Sequence, residues 1–364
     1  MRLKPFVPFM LPLKEEIVNQ MEFLNELIEA NKSMVEYQTM LKNSKLNPQF
    51  LLRPVMLKEA VQSTKIEGTH VTLDEVMEAD AQTKKANKDI QEALNYYEAL
   101  MKGMDALKNI PISTRLFKLM HKILLSNDVR GSSRAPGEFR KIQNFLGPEG
   151  CTMETATYIP PEPQYVDEYM SNLEKYINDP QDRYNELIRV AIIHAQFETI
   201  HPFLDGNGRI GRILIPLYLY NKGVIDYPNF FISDVLERDK HKYYRYLNDT
   251  RYKGDWTQWI KFFLECIHIQ AKKNIRLIEE VNELYENELA RASTIINSSN
   301  VLHIVNVMFQ RPIFTAKTLS SLTGLPEGTV RRYLNRLEEE RMIFSDGKIR
   351  SKTYYYYNLL DKLR

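Results

Sequence analysis

Twelve residues near the middle of the chain, HPFLDGNGRIGR at 201–212, constrain it most. They put an imidazole, a carboxylate, a glycine-rich turn and two guanidinium groups into one loop and the helical turn after it. Glycines at 206 and 208, flanking Asn207, permit backbone angles that a Cβ forbids and let main-chain amides approach a ligand closely. Beyond them Ile210, Ile213, Leu214 and Leu217 recur at helical spacing, and residues 221–223 supply a stop, so a helix is predicted to begin at the turn. Its unsatisfied first amides and positive dipole end make an anion site before any side chain is counted.

The side chains extend that reading. Arg209 and Arg212 are three apart and share one helical face, which suits a polyphosphate. Pro202 biases His201 out of the helical region, so a helix running from about Tyr184 should end there and turn the imidazole toward the loop as a general base. Asp205 beside a phosphate site implies a bridging hard cation such as Mg²⁺. Base, metal ligand, amides and two arginines are the parts needed for phosphoryl or nucleotidyl transfer. A P-loop is a poorer match, because Arg212 and Ile213 stand where Lys and Ser or Thr are required. The pairs Glu198/His201 and Glu265/His268 have di-iron bundle spacing, but Pro202 breaks the helix such a site needs. A bland surface turn seldom carries His, Asp, Asn and two Arg together.

Position for position the stretch matches the Fic signature H-P-F-x-[DE]-G-N-G-R-x-x-R, and the chain resembles Fic-domain protein adenylyltransferases. The similarity continues through PGEFRKIQN (136–144), TYIPP (157–161) and residues 238–264 with KYYRYL and GDWTQWIKFFL. The resemblance implies a mainly α fold, a Fic-type helical core with a small β-hairpin flap, and transfer of AMP from ATP·Mg²⁺ to a Ser, Thr or Tyr hydroxyl of a target protein. By resemblance His201 is catalytic, Asp205 holds the metal, and Gly206, Asn207, Gly208, Arg209, Ile210, Gly211 and Arg212 bind ATP, with Asn207 orienting the α-phosphate. Tyr244 and Leu247 wall the adenine pocket, while Thr157, Tyr158 and Ile159 dock the target at the flap. The phosphotransferase branch carries Lys near the position of Gly208, which favours AMP transfer here. The family's S/T-x-x-x-E-G/N inhibitory motif fits residues 63–68, making Ser63, Glu67 and Gly68 the inhibitory set and pairing Glu67 with Arg212. A glutamate in the last turn of a helix is disfavoured by the dipole and is best explained by a nearby cation. Its place ahead of the core resembles the class with an N-terminal inhibitory helix.

Along the chain, Ile17, Met21, Leu24 and Ile28 mark an amphipathic helix over about 14–42. A second helix is expected to start at Pro54 and stop before Gly68, with Leu57, Ala60, Val61 and Thr64 inward. Residues 72–108 are helical in pattern. The expected divisions are 1–108, with the inhibitory helix at about 54–68, then a catalytic core at 109–268, a connector helix at 269–299 and a small domain at 300–364. That last segment reads helix, turn at Gly324, helix, then two β-prone pieces around Asp346-Gly347, and resembles a winged helix. It carries eleven Lys or Arg against six Asp or Glu, with Arg331, Arg332 and Arg336 on its second helix. Contact with DNA and docking or homodimerisation through protein surfaces both follow from it. The alternative function is therefore a DNA-binding regulator whose core senses nucleotide without significant turnover. A net charge of +2 over 364 residues gives no electrostatic case for nucleic acid or membrane as partners of the whole chain. Cys151 and Cys266 are too few for a disulfide framework, and with no apolar spanning run they point to a cytoplasmic setting.

Overall fold

A computed structural model of the chain describes residues 4–82, 86–148 and 150–364. Residues 83–85, within the 72–108 helical region, lie outside the described residues, as do 1–3 and 149. The elements run α1 (Leu24–Lys42), α2 (Gln49–Ile66), α3 (Leu73–Gln82), α4 (Lys88–Ala106), α5 (Thr114–Leu124), α6 (Val166–Asn178), α7 (Glu186–Ile200), α8 (Asn207–Asn221), α9 (Ser233–Arg238), α10 (Lys240–Tyr252) and α11 (Trp256–Ile296). They continue through α12 (Val301–Gln310), β1 (Ile313–Thr315), α13 (Ala316–Thr323), α14 (Glu327–Glu339), β2 (Phe344–Ser345), β3 (Thr353–Tyr355) and α15 (Tyr357–Leu363). The fold is mainly α, as the sequence implies.

The chain divides into two compact units, one of Met1–Val35, Ile66–Gly68 and Asn95–Ala271, the other of Glu36–Lys65, Thr69–Leu94 and Lys272–Arg364. In the first unit α7 and α8 form the centre. Every residue of α7 from Leu187 onward is buried, as is nearly all of α8, so these helices are apolar on all sides rather than amphipathic. Some of the polar groups inside them are satisfied by neighbours: Arg189 donates to the carbonyls of Tyr176 and Asp179, and Trp259 donates to that of Ala191. Close approach of the pair depends on Gly211, whose added Cβ would stand 3.3 Å from both His194 and Phe197.

In the second unit α12, α13 and α14 accompany an antiparallel sheet of order β1-β3-β2, with Phe314 opposite Tyr354 and Phe344 opposite Tyr355. Gly324, at φ +71°, closes α13 as expected. The strand β1 is an addition to the sequence reading, and the Asp346-Gly347 connection spans 346–352 rather than a two-residue turn.

Two local expectations are corrected. Asn47 starts α2 by accepting from the Gln49 amide, so the helix begins five residues before Pro54, which is accommodated inside it. In α1, which begins only at Leu24, the inward stripe is Leu27, Ala30, Met34, Tyr37 and Leu41 with Phe23 just ahead, whereas Met21, Leu24 and Ile28 are exposed. The face was misread because both stripes satisfy the same spacing, and packing chose the one carrying the aromatics.

Candidate active site

The site is built on the six-residue passage from α7 to α8. His201 ends α7 in the left-handed region at φ 50° and ψ 59°, a conformation histidine adopts more often than most residues and one that leaves the right-handed helix before Pro202, as expected. Gly206, at φ +77°, opens α8 without any side-chain cap on its amides. Asn207 braces the passage from within. Its carboxamide accepts from the Phe203 amide at 2.8 Å and donates to the Phe203 carbonyl at 2.9 Å. The side chain expected to orient a phosphate is thus tied to the loop through one acceptor and one donor bond. Phe203 is in turn stacked on His121 at 3.8 Å between ring centres.

The charged groups converge at the same end of α8. Asp205 Oδ1 accepts from the Gly206 amide at 2.6 Å and from Arg209 at 3.0 Å. Arg212, 1% exposed, donates to Glu67 Oε1 at 2.6 Å. That carboxylate occupies the space a side chain at 208 would need, since a Cβ on Gly208 would lie 2.4 Å from Oε1. Burial pushes the Glu67 carboxyl up, and Arg212, helped by Arg209 and Arg130, outweighs it and holds the group below the ordinary glutamate value. Arg130 and Lys240 also hold the end of α2, donating to the carbonyls of Glu67 and Ile66 respectively. Burial, reinforced by Arg251 and Arg140, pushes the His201 imidazole down to about 3, so it is neutral at physiological pH and able to accept a proton.

Sequence reasoning missed three supports of this geometry. Arg140, 2% exposed, donates to the carbonyls of His201 at 2.9 Å and Pro161 at 2.5 Å, and its amide donates to that of Pro202. Arg251 reaches the Glu198 carbonyl and Thr199 hydroxyl and lies 3.9 Å above the Tyr158 ring. His121 accepts from the Gly137 amide at Nδ1, which leaves Nε2 to donate to the Asp205 carbonyl at 2.9 Å. Their partners, mostly backbone atoms, lie far off in sequence, and no spacing rule signals such contacts; for Arg140 the one available hint was its place in PGEFRKIQN.

Other expected site residues are placed differently. Leu146 and Tyr158 form an antiparallel bridge, and among the described residues between 137 and 161 no longer strand forms. Thr157 is exposed, but Tyr158 and Ile159 are buried at 1% and 2%, and the Ile159 carbonyl already accepts from the Phe6 amide. The side chains at 158 and 159 thus face inward, which leaves the main chain of this segment as the part that could pair with an extended target. Tyr244 is exposed beside the buried Tyr243, with ring centres 5.0 Å apart, while Leu247 is buried at 2%. Ser63 and Thr64 are buried, and Gly68 takes φ +91° just past α2.

Comparison with known proteins accords with this geometry. A family model described as Fic/DOC family N-terminal matches residues 24–105, and one described as Fic/DOC family matches 111–219. The fold and the site therefore define a Fic-type protein. The chain belongs to the Fic/DOC family. Over 131 residues it is 34% identical to the protein adenylyltransferase Fic of Culex quinquefasciatus, covering 36% of this chain and 23% of that protein. Over 228 residues it is 27% identical to that of Nematostella vectensis, covering 59% and 48%. The chain thus spans less than half the length of these relatives. Among solved structures, a Fic family protein from Desulfovibrio desulfuricans G20 superposes with a TM-score of 0.58 at 19% identity, over 97% of this chain and 98% of that one. Fic-1 of C. elegans (aa134–508) gives 0.54 at 19% identity, over 72% and 74%. At such identities the likeness carries the fold.

Proposed function

We propose that this chain transfers AMP from ATP to a hydroxyl side chain, Ser, Thr or Tyr, of a target protein. The observation that carries the reading is the uncapped N-terminus of α8, with a neutral imidazole at one side and two almost fully buried arginines at the other. Three phosphates suit the first amides of α8 together with Arg209 and Arg212, and His201 removes the hydroxyl proton as the oxygen attacks the α-phosphorus and pyrophosphate leaves in line. Arriving phosphate charge raises the imidazole from its low resting value toward a useful basicity.

Asp205 is the residue that would hold Mg²⁺. Its Oδ1 is engaged, its Oδ2 faces Gly131, and no group of three or more His, Cys, Asp or Glu occurs among the described residues. A single carboxylate fits a hard cation whose other ligands are waters and phosphate oxygens. When bound, that ion neutralises phosphate charge. Gly208 leaves room for the Glu67 carboxylate, and we read the Glu67–Arg212 pair as autoinhibition, since an arginine held by glutamate is withheld from the outer phosphate. Tyr244 is the residue of the adenine-pocket pair that stands open to a ligand.

Residues 300–364 we read as a winged helix that serves protein docking or dimerisation. Arg331 is paired with Glu327 and Arg336 donates to the Ile296 carbonyl, which weakens the case for phosphate-facing arginines on α14. Among the described residues no helix is long and apolar enough to cross a membrane, and a cytoplasmic setting belongs to the same proposal.

The test is transfer of label from ATP carrying it at the α-phosphate, in a lysate of the native cell. His201→Ala should still bind ATP but lose transfer by roughly 10²- to 10⁴-fold. Undiminished labelling by that variant, or specific DNA binding with no labelling by any form, would favour the nucleotide-sensing DNA regulator.

A further inference from the structure

Glu198 lies one helical turn before His201 and is 6% exposed. Its Oε2 stands 4.0 Å from His201 Nδ1, and its main-chain oxygen is 3.4 Å from the same nitrogen. Its Oε1 is buried with no hydrogen-bond partner among the described residues. The space for that oxygen is left by Gly211, whose Cβ would sit 2.4 Å away. Buried carboxyl oxygens are ordinarily satisfied, because leaving one unpaired destabilises the fold. Here one oxygen is left unpaired against Gly211 while the other lies 4.0 Å from the base.

Several charged or titratable groups face this carboxyl. Arg212 comes from α8, Glu67 from the end of α2, Arg251 and Tyr243 from α10, and Tyr158 from the 146–158 loop. Burial dominates and raises the Glu198 carboxyl to about 7, with Glu67 adding to the rise and the two arginines opposing it. The group therefore changes charge in the range where an enzyme of this kind works.

We propose that Glu198 is a positioning residue for His201: lying on the Nδ1 side of the ring, its carboxylate keeps the proton on Nδ1, directs the Nε2 lone pair outward and balances the imidazolium formed during transfer. This rests on the AMP-transfer reading. In the step itself the hydroxyl O–H bond breaks and Nε2–H forms, while the oxygen–phosphorus bond forms and the bond to pyrophosphate breaks, its electron pair leaving with pyrophosphate. Nδ1 keeps its proton throughout, and no proton passes to Glu198.

Only the ionised carboxyl supplies this support, so transfer should fall as pH drops through about 7. In Glu198→Gln that limb should disappear, kcat should fall roughly tenfold or more as for a lost orienting group, and KM for ATP should stay nearly unchanged. Glu198→Asp should retain a pH-dependent limb. An independent readout is the ring ¹⁵N shift of His201 followed against pH without ATP. A step near neutrality is expected in the wild type and in Glu198→Asp, and its absence in Glu198→Gln. A wild type with no step, or the same step in Glu198→Gln, overturns the proposal whatever the transfer activity. Should the glutamine variant fail to fold, the wild type and the aspartate variant decide alone. Failure of the wild type to label any protein would instead defeat the AMP-transfer reading and leave the titration standing.

Discussion

Arg212 and Arg331 each lie in the second turn of a helix, and each meets a glutamate oxygen at 2.6 Å. The first is 1% exposed and its partner, Glu67, comes from 145 residues away. The second is 55% exposed and its partner, Glu327, sits four residues back on the same helix. Equal distances carry different energies here. At the surface water screens the pair and competes for both groups, whereas the buried Arg212 leans on Glu67, itself 29% exposed, to balance its charge. The buried pair is therefore a charge balance that a competing anion can upset, and the exposed pair is a helix-stabilising contact of small effect.

The comparison can be broken most decisively at Arg212. Replacement by alanine should lower AMP transfer by roughly 10²- to 10³-fold, as for loss of one preorganised donor to the reacting phosphates, measured by labelled-ATP transfer at saturating ATP. Retention of full activity would equate Arg212 with Arg331. Next in size is Glu67→Gly, which removes one charge-assisted contact of about 1.5–3 kcal/mol and should raise transfer by roughly tenfold or more. Combined with Arg212→Ala the gain should vanish, and an additive double variant would show that Glu67 acts on something else.

A smaller effect is expected from Gly206→Ala, which forces a Cβ into the left-handed region and toward Leu124 at 3.1 Å. Stability should fall by about 1–2 kcal/mol, read as an earlier thermal transition of the catalytic unit. An unshifted transition would mean that the loop relaxes without strain. The smallest is Arg331→Ala, where loss of the i,i+4 pair should change stability by no more than about 0.5 kcal/mol and leave transfer untouched. A large loss there would give α14 a role that its exposure does not suggest.

Much of the site was legible because its signals are local. Pro202 ends one helix, Gly206 starts the next, and the arginine spacing follows from the helical repeat. The same local logic located α13 and α14 around Gly324. It failed where structure depends on distant partners. β1 holds only three residues and exists by pairing with β3, forty residues on in the chain. Pro54 looked like a helix start because the stronger cap, Asn47, carried no pattern after it. Sequence also cannot reveal that the Asn207 carboxamide braces the loop by bonding both polar groups of the Phe203 backbone.

Arg140 ties main-chain carbonyls on both sides of the catalytic passage, at His201 and at Pro161, and its own amide holds Pro202. The loop bearing the base and the segment around 137–161 consequently cannot fray one at a time. In native-state hydrogen exchange the amides of the two stretches should open together, with one shared protection, even though they are separated in sequence. A chain that changed Arg140 would keep every group that touches the reacting atoms and lose the cooperativity that keeps them assembled between encounters with substrate.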